Sequence, residues 1–170
     1  MGASIRSNAG VGHRLFGLDS SLLRLPDSAE LSQEFGWKEG SHQNGATGPR
    51  SPEARWSVVS DLLNPIGHDA PLAPSPVGEV TLALQQLEHL QPGDVEISDR
   101  GLSGSVYFAS VLQRQAHFIA RCSTGSFLAA QEMFRSNRAQ QSQVVWLHAP
   151  ADQRAECLRR GLPLKIKVRF

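Results

Sequence analysis

The chain has 170 residues, enough for one domain with its own core. Hydrophobic residues make up 40% and charged residues 19%, which excludes a disordered polyelectrolyte and is ordinary for a soluble globular protein. A formal net charge of +1 excludes an electrostatic tail but leaves room for a local basic face.

Residues 1–12 are small, polar and Gly-rich and read as a disordered lead-in. Residues 13–19 are apolar enough for a buried strand ending at Asp19. Residues 21–25 carry three leucines before Pro26, which stops the run, so a hairpin-like pair of strands is expected. Residues 41–53 are rich in Gly, Ser, Pro, Asn and Gln and read as a surface loop. Residues 55–63 resume a strand. Pro71, Pro74 and Pro76 make residues 68–76 an extended connector. Val80, Ala83, Leu84, Leu87 and Leu90 recur at helical spacing and predict a helix over 79–90. Pro92-Gly93-Asp94 reads as a turn, 95–99 as a short strand, 103–115 as a second helix and 117–121 as a further strand. This strand–helix–strand–helix–strand order predicts an α/β layered core with parallel pairing across the helices.

The last stretch, 123–170, has its own character. Residues 126–135 read as helical and 143–148 as a strand. Residues 150–160 fit a helix with Pro150 in its first turn and Gly161 just after it. Over 164–170 the alternation is regular: Leu164, Ile166, Val168 and Phe170 on one face, Lys165, Lys167 and Arg169 on the other, a half-buried strand. The pattern stops on an apolar residue, and a truncated domain is expected.

Cys122 and Cys157 form no C-x-x-C pair and read as reduced thiols. The six histidines are scattered without metal-ligand spacing, so a zinc site is not expected. No segment reaches the apolar length of a membrane span, and the N-terminus lacks the apolar core of a signal peptide. Arg6 breaks the myristoylation pattern. A soluble cytoplasmic protein is the expectation.

Two aspartates carry the functional argument. Asp19 follows the apolar run Leu15-Phe16-Gly17-Leu18, and Asp99 follows Val95-Glu96-Ile97-Ser98. Taken singly, each is an ordinary strand-end residue. Brought together from neighbouring strands, two such carboxylates make half of a phosphoryl-transfer site. Carboxylate oxygen also suits hard Mg²⁺ or Mn²⁺. Asp27 and Asp94 read as turn residues. Glu79, at a helix start, suits the helix dipole and would lie near such a site.

The segment Asp19-Ser20-Ser21-Leu22-Leu23-Arg24-Leu25-Pro26-Asp27 resembles the Asp-Gly-Thr-x-x-Arg-Leu-Pro-Asp segment of DDE transposases from bacterial insertion sequences, the group typified by insertion sequence four. Phe35-Gly36 follows at the expected place. The block from Leu90 through Gln91-Pro92-Gly93-Asp94 to Asp99-Arg100-Gly101 is similar to that group's Pro-Gly-Asp, strand, Asp-Arg-Gly-Phe block. His117-Phe118-Ile119-Ala120-Arg121 and Gly161-Leu162-Pro163-Leu164 also fit. The likeness covers most of 13–170.

The resemblance implies a ribonuclease H-like α/β core, incomplete at its C-terminus. Residues 13–122 would form the first part of the catalytic core and 123–170 the start of a β-rich insertion. Asp19 would lie on the first strand and Asp99 just after the fourth. Both would be catalytic and would hold two metal ions, Mg²⁺ or Mn²⁺, in the intact protein. The family's glutamate belongs to a Tyr-x-x-Arg-x-x-x-Glu pattern, which does not occur in these 170 residues; Tyr107 is the sole tyrosine. Ser20-Ser21 replaces the family's Gly-Thr, and Leu102 replaces its Phe.

The implied activity is metal-dependent cleavage and transfer of DNA strands in transposition. The implied partners are transposon-end and target DNA and a second copy in a synaptic complex, with no membrane. The fragment alone is expected to be inactive. Arg24, Arg100, Arg121, Lys165, Lys167 and Arg169 are candidate DNA contacts, since cations suit phosphates. The alternative is a non-catalytic DNA-binding or interaction remnant. Trp37, Trp56 and Trp146 read as core or rim, with no base-stacking pattern.

Overall fold

The structure, a computed structural model, describes residues 12–36, 51–123, 125, 127–136 and 142–170. Residues 1–11 of the expected lead-in (1–12) and 41–50 of the expected loop (41–53) lie outside the described residues, and Glu53, expected in that loop, begins a strand. Strand β1 (Leu15–Arg24) is one continuous strand, where a pair of shorter strands was expected. It pairs antiparallel with β2 (Glu53–Asp61) along its length, from Phe16 opposite Asp61 to Arg24 opposite Glu53. That ladder satisfies the backbone through polar Ser20-Ser21, so the break in the apolar run does not break the strand. Asp19 therefore lies mid-strand. Helix α1 (Ala29–Phe35) follows, capped by Ser28 Oγ, which accepts from Leu31 N.

At the end of β2 the Asp61 carboxylate accepts from Leu63 N and Asn64 N and turns the chain back. The proline-rich connector then holds two short strands, β3 (Ile66–Asp69) and β4 (Leu72–Pro74), both antiparallel to β2. Pro74 is tolerated because β4 lies at an edge. Helix α2 (Glu79–Gln86) runs on as a 3₁₀ turn at Leu87–His89. Beyond it come β5 (Val95–Ser98), α3 (Ser105–Gln113) and β6 (His117–Ala120). The main sheet has the order β3-β2-β1-β5-β6, with β4 also on β2. β1, β5 and β6 are parallel, so the sheet is mixed. Gly93 has φ +88°, and the following Asp94 is buried rather than a mere turn former. Arg14 Nε donates to Asp94 Oδ1 at 2.8 Å, Arg14 Nη2 donates to Oδ2, and Gln91 N donates to the same carboxylate.

One face of the sheet is buried. Phe16, Leu18 and Val59 pack there with Ala83 and Leu87 of α2 and with Val106, Tyr107, Phe108 and Val111 of α3. Helix α4 (Leu128–Arg135), strand β7 (Val144–His148), helix α5 (Ala151–Arg159) and strand β8 (Lys165–Arg169) complete the described chain. β7 and β8 form a separate antiparallel ribbon. Pro150 precedes α5, and Gly161 (φ +66°) follows it. Leu147, Cys157, Leu162 and Ile166 join the same core as the main sheet. The molecule is thus a mixed α/β protein with five α-helices among the described residues. None of these helices is long and apolar enough to cross a membrane.

Candidate functional site

β1 and β5 run parallel with Leu18 opposite Ser98. The next residue on each side is an aspartate, so Asp19 and Asp99 are neighbours across strands about 4.8 Å apart. Ser98 in turn pairs with Ala120 of β6, and Arg121 N donates to Ser98 O at 3.1 Å. Arg121 therefore follows directly beside Asp99. Leu18 and Ser98 are buried, so strand alternation directs Asp19 and Asp99 to the opposite face, where both are exposed.

Asp99 keeps an extended backbone (φ −85°, ψ 178°) and caps a 3₁₀ turn at Arg100–Leu102. Its Oδ1 accepts from Arg100 N at 2.7 Å, and Asp19 Oδ1 accepts from Ser20 N at 2.8 Å. Among the described residues the second oxygen of each accepts no hydrogen bond. Arg100 Nε and Arg121 Nη1 stand 4.0 Å and 3.9 Å from Asp99 Oδ1. Asp99 is 63% exposed, so these pairs add little stability. What they do is hold two guanidinium groups at the carboxyl ends of parallel strands, the usual place for a ligand crevice in such sheets.

Glu79, the first residue of α2, presses its carboxylate onto Gly101. A Cβ at Gly101 would lie 2.5 Å from Glu79 Oε2, so a bare glycine is needed for the approach. Among the described residues no three His, Cys, Asp or Glu side chains converge on one cation position. Asp19 and Asp99 have the hard-oxygen chemistry that suits Mg²⁺ or Mn²⁺, each with one oxygen that accepts no hydrogen bond among the described residues.

The other sequence candidates are spread out. Arg24 lies five residues past Asp19, about 16 Å along β1, and its side chain is 85% exposed near Glu53. It is not brought to the aspartate pair. Lys165, Lys167 and Arg169 lie on the outer face of β8, in the separate ribbon. Trp56 and Trp146 are 40% and 55% exposed, outside the core, and Trp37 lies outside the described residues.

Two groups near the site were not legible in the chain. Arg55 of β2 reaches Ser20 Oγ at 3.4 Å and donates to Val77 O at 2.9 Å, bracing the strand beside Asp19. Glu96 lies buried on the covered face of β5, where burial pushes its carboxyl up to about 7. Its only sequence signal is one charge between Val95 and Ile97.

Comparison with known proteins finds no matching family model, no matching curated protein and no matching solved structure.

Proposed function

We propose that this chain is part of a metal-dependent DNA strand-transfer enzyme of the DDE transposase kind, with Asp19 and Asp99 as its first two metal-binding carboxylates. The observation that carries the reading is the register of β1 against β5, which makes two aspartates from distant segments neighbours on one open face. The order of strands also supports a ribonuclease H-like core: three antiparallel strands, then two strands parallel to the first. Asp99 follows β5, the fifth strand in chain order, where the resemblance implies the fourth; the three-residue β4, also antiparallel to β2, is the additional strand.

Bound Mg²⁺ or Mn²⁺ would activate water or a 3′-hydroxyl and stabilise the leaving oxygen. Asp19 and Asp99 would hold it. Arg100 and Arg121 would bind and orient the DNA phosphate through their planar forks. The 170 residues contain no Tyr-x-x-Arg-x-x-x-Glu pattern, so the chain alone binds metal weakly and does not cleave DNA.

Titration with Mn²⁺, followed by the electron paramagnetic resonance of the free ion, tests the pair. Weak binding that is lost in Asp19→Asn and in Asp99→Asn is expected. Binding indifferent to both changes overturns the assignment. The second reading, a non-catalytic DNA-binding module, is favoured by the basic outer face of β8. It predicts DNA retention that does not respond to Asp99→Asn.

A further inference from the structure

Two histidines from distant segments meet at the end of the main sheet where β1 and β6 begin. His13 stands two residues before β1, and His117 is the first residue of β6. β5 lies between those strands, with Val95 opposite both Leu15 and His117. The turn into β5 is tied to both sides: Val95 N donates to Arg14 O at 2.9 Å, and His117 N donates to Asp94 O at 2.7 Å. Gly93 of that turn carries no side chain, and the space where one would stand is open. The two imidazoles meet with ring centres 5.7 Å apart and planes at 85°. Both residues are exposed.

The His13 ring is anchored. Its Nδ1 donates to Gly93 O. A carbonyl oxygen only accepts, so Nδ1 carries a proton and, in the neutral ring, Nε2 keeps the lone pair. One ring nitrogen bound to a backbone carbonyl, with the other free, is the arrangement of a metal-ligating imidazole. Among the described residues the ring nitrogens of His117 make no hydrogen bond.

The separation suits a shared ion. A zinc–nitrogen bond of about 2.0–2.1 Å puts the ion about 3.2 Å from each ring centre. Two rings on one ion then have centres about 5.2 Å apart at the tetrahedral angle and about 5.7 Å at a somewhat wider one. An edge contact between two rings explains the distance alone. It does not explain a ring anchored with Nε2 unused.

The ligand set also selects the ion. Asp94, next to Gly93, is already committed, since Arg14 Nε, Arg14 Nη2 and Gln91 N all donate to its carboxylate. Among the described residues no third His, Cys, Asp or Glu joins the pair. Two nitrogens without a carboxylate suit Zn²⁺, Cu²⁺ or Ni²⁺ over Mg²⁺ or Mn²⁺.

We infer that His13 and His117 form a two-imidazole site for a borderline divalent transition ion of the Zn²⁺ kind, with water in the remaining positions. The ion ties the start of β1 to β6 across the turn before β5. The site lies about 20 Å along the strands from Asp19 and Asp99 and does not depend on the DNA-handling reading. Spacing along the chain gives no sign of it, because the two histidines come from separate segments.

The test is a titration of the full chain with Zn²⁺, followed by proton–nitrogen correlation spectra of the histidine rings. The Nε2 signals of His13 and His117 should move together and saturate at equimolar zinc, while those of His68, His89 and His148 stay in place. Competition with a colorimetric chelator then gives the affinity. His13→Gln and His117→Gln should each weaken it about a hundredfold, because each turns a chelate into a single ligand. Zinc should raise the urea midpoint of the unaltered chain and of neither variant. Circular dichroism checks that the variants are folded, and the spectra of the unaltered chain stand without them.

Zinc that moves other histidines, or only one of the pair, overturns the inference. So does an affinity unmoved by both changes, or one lost in Cys122→Ser. Asp19→Asn and Asp99→Asn should leave the zinc titration unchanged, so the histidine site and the aspartate pair stand or fall separately.

Discussion

Glu96 lies opposite Phe16 on β1 and Phe118 on β6 and is only 1% exposed. Ser98 Oγ donates to its Oε2 at 3.3 Å. The Tyr107 hydroxyl faces it from α3, too loosely for a well-formed hydrogen bond, and among the described residues Oε1 has no partner. Burial pushes the carboxyl from 4.5 up to about 7, against the smaller opposing pull of Ser98 and Tyr107. Burial, helped by the Glu96 charge, likewise pushes the Tyr107 hydroxyl far up. Between these two pH values the folded chain holds a proton that the unfolded chain has lost. The stabilising contribution is therefore full below pH 4.5 and is lost as pH rises through 7. The whole swing is about 3 kcal/mol. Urea midpoints should fall from mildly acid to mildly alkaline pH, and Glu96→Gln should flatten that fall and be the more stable form on the alkaline side. Parallel pH profiles for the two proteins would remove Glu96 as the cause. The sequence signal was slight because alternation places Glu96 on one face of β5 without saying that α3 covers it.

At the scale of elements, the legible parts were those with a strict local pattern. The alternation of β8 and the helical spacing of α2 both stand in the structure. β1 was less legible, since Ser20-Ser21 interrupts its apolar run, and only its long ladder with β2 makes it a single strand. The β7–β8 ribbon depends on its inner face for attachment. Ile166 is 6% exposed within the common core, so Ile166→Ala should cost about 2–4 kcal/mol in urea unfolding. Lys167→Gln, on the outer face one residue away, should stay within about 0.5 kcal/mol of the parent. Similar costs for the two changes would mean the ribbon is not docked as described.

For the whole molecule, the decisive fact is that one core spans both parts of the chain. Leu147, Cys157, Leu162 and Ile166 pack in the same cluster as Phe16, Leu18 and Tyr107. Helix α3 lies against β6 on one side and α5 on another. Urea unfolding should therefore be a single transition, with tryptophan fluorescence and far-ultraviolet circular dichroism coinciding. Two separated transitions would show that residues 123–170 unfold on their own.

Much of this protein follows from local sequence alone. Alternation, helical spacing, Pro150, Gly161 and the apolar runs before Asp19 and Asp99 specify the elements and nominate the two carboxylates. Side-chain periodicity is a local property, and each element carries its own. Whether the nominated residues meet was decided by tertiary pairing. The parallel register of β1, β5 and β6 sets Asp19, Asp99 and Arg121 side by side, while Arg24 and the β8 cations stand elsewhere. That register depends on how α2 and α3 cross the sheet and which face they cover. The same packing decides that Glu96 is buried and Trp146 is left open, because exposure belongs to the surface against which a strand packs, and not to the strand itself.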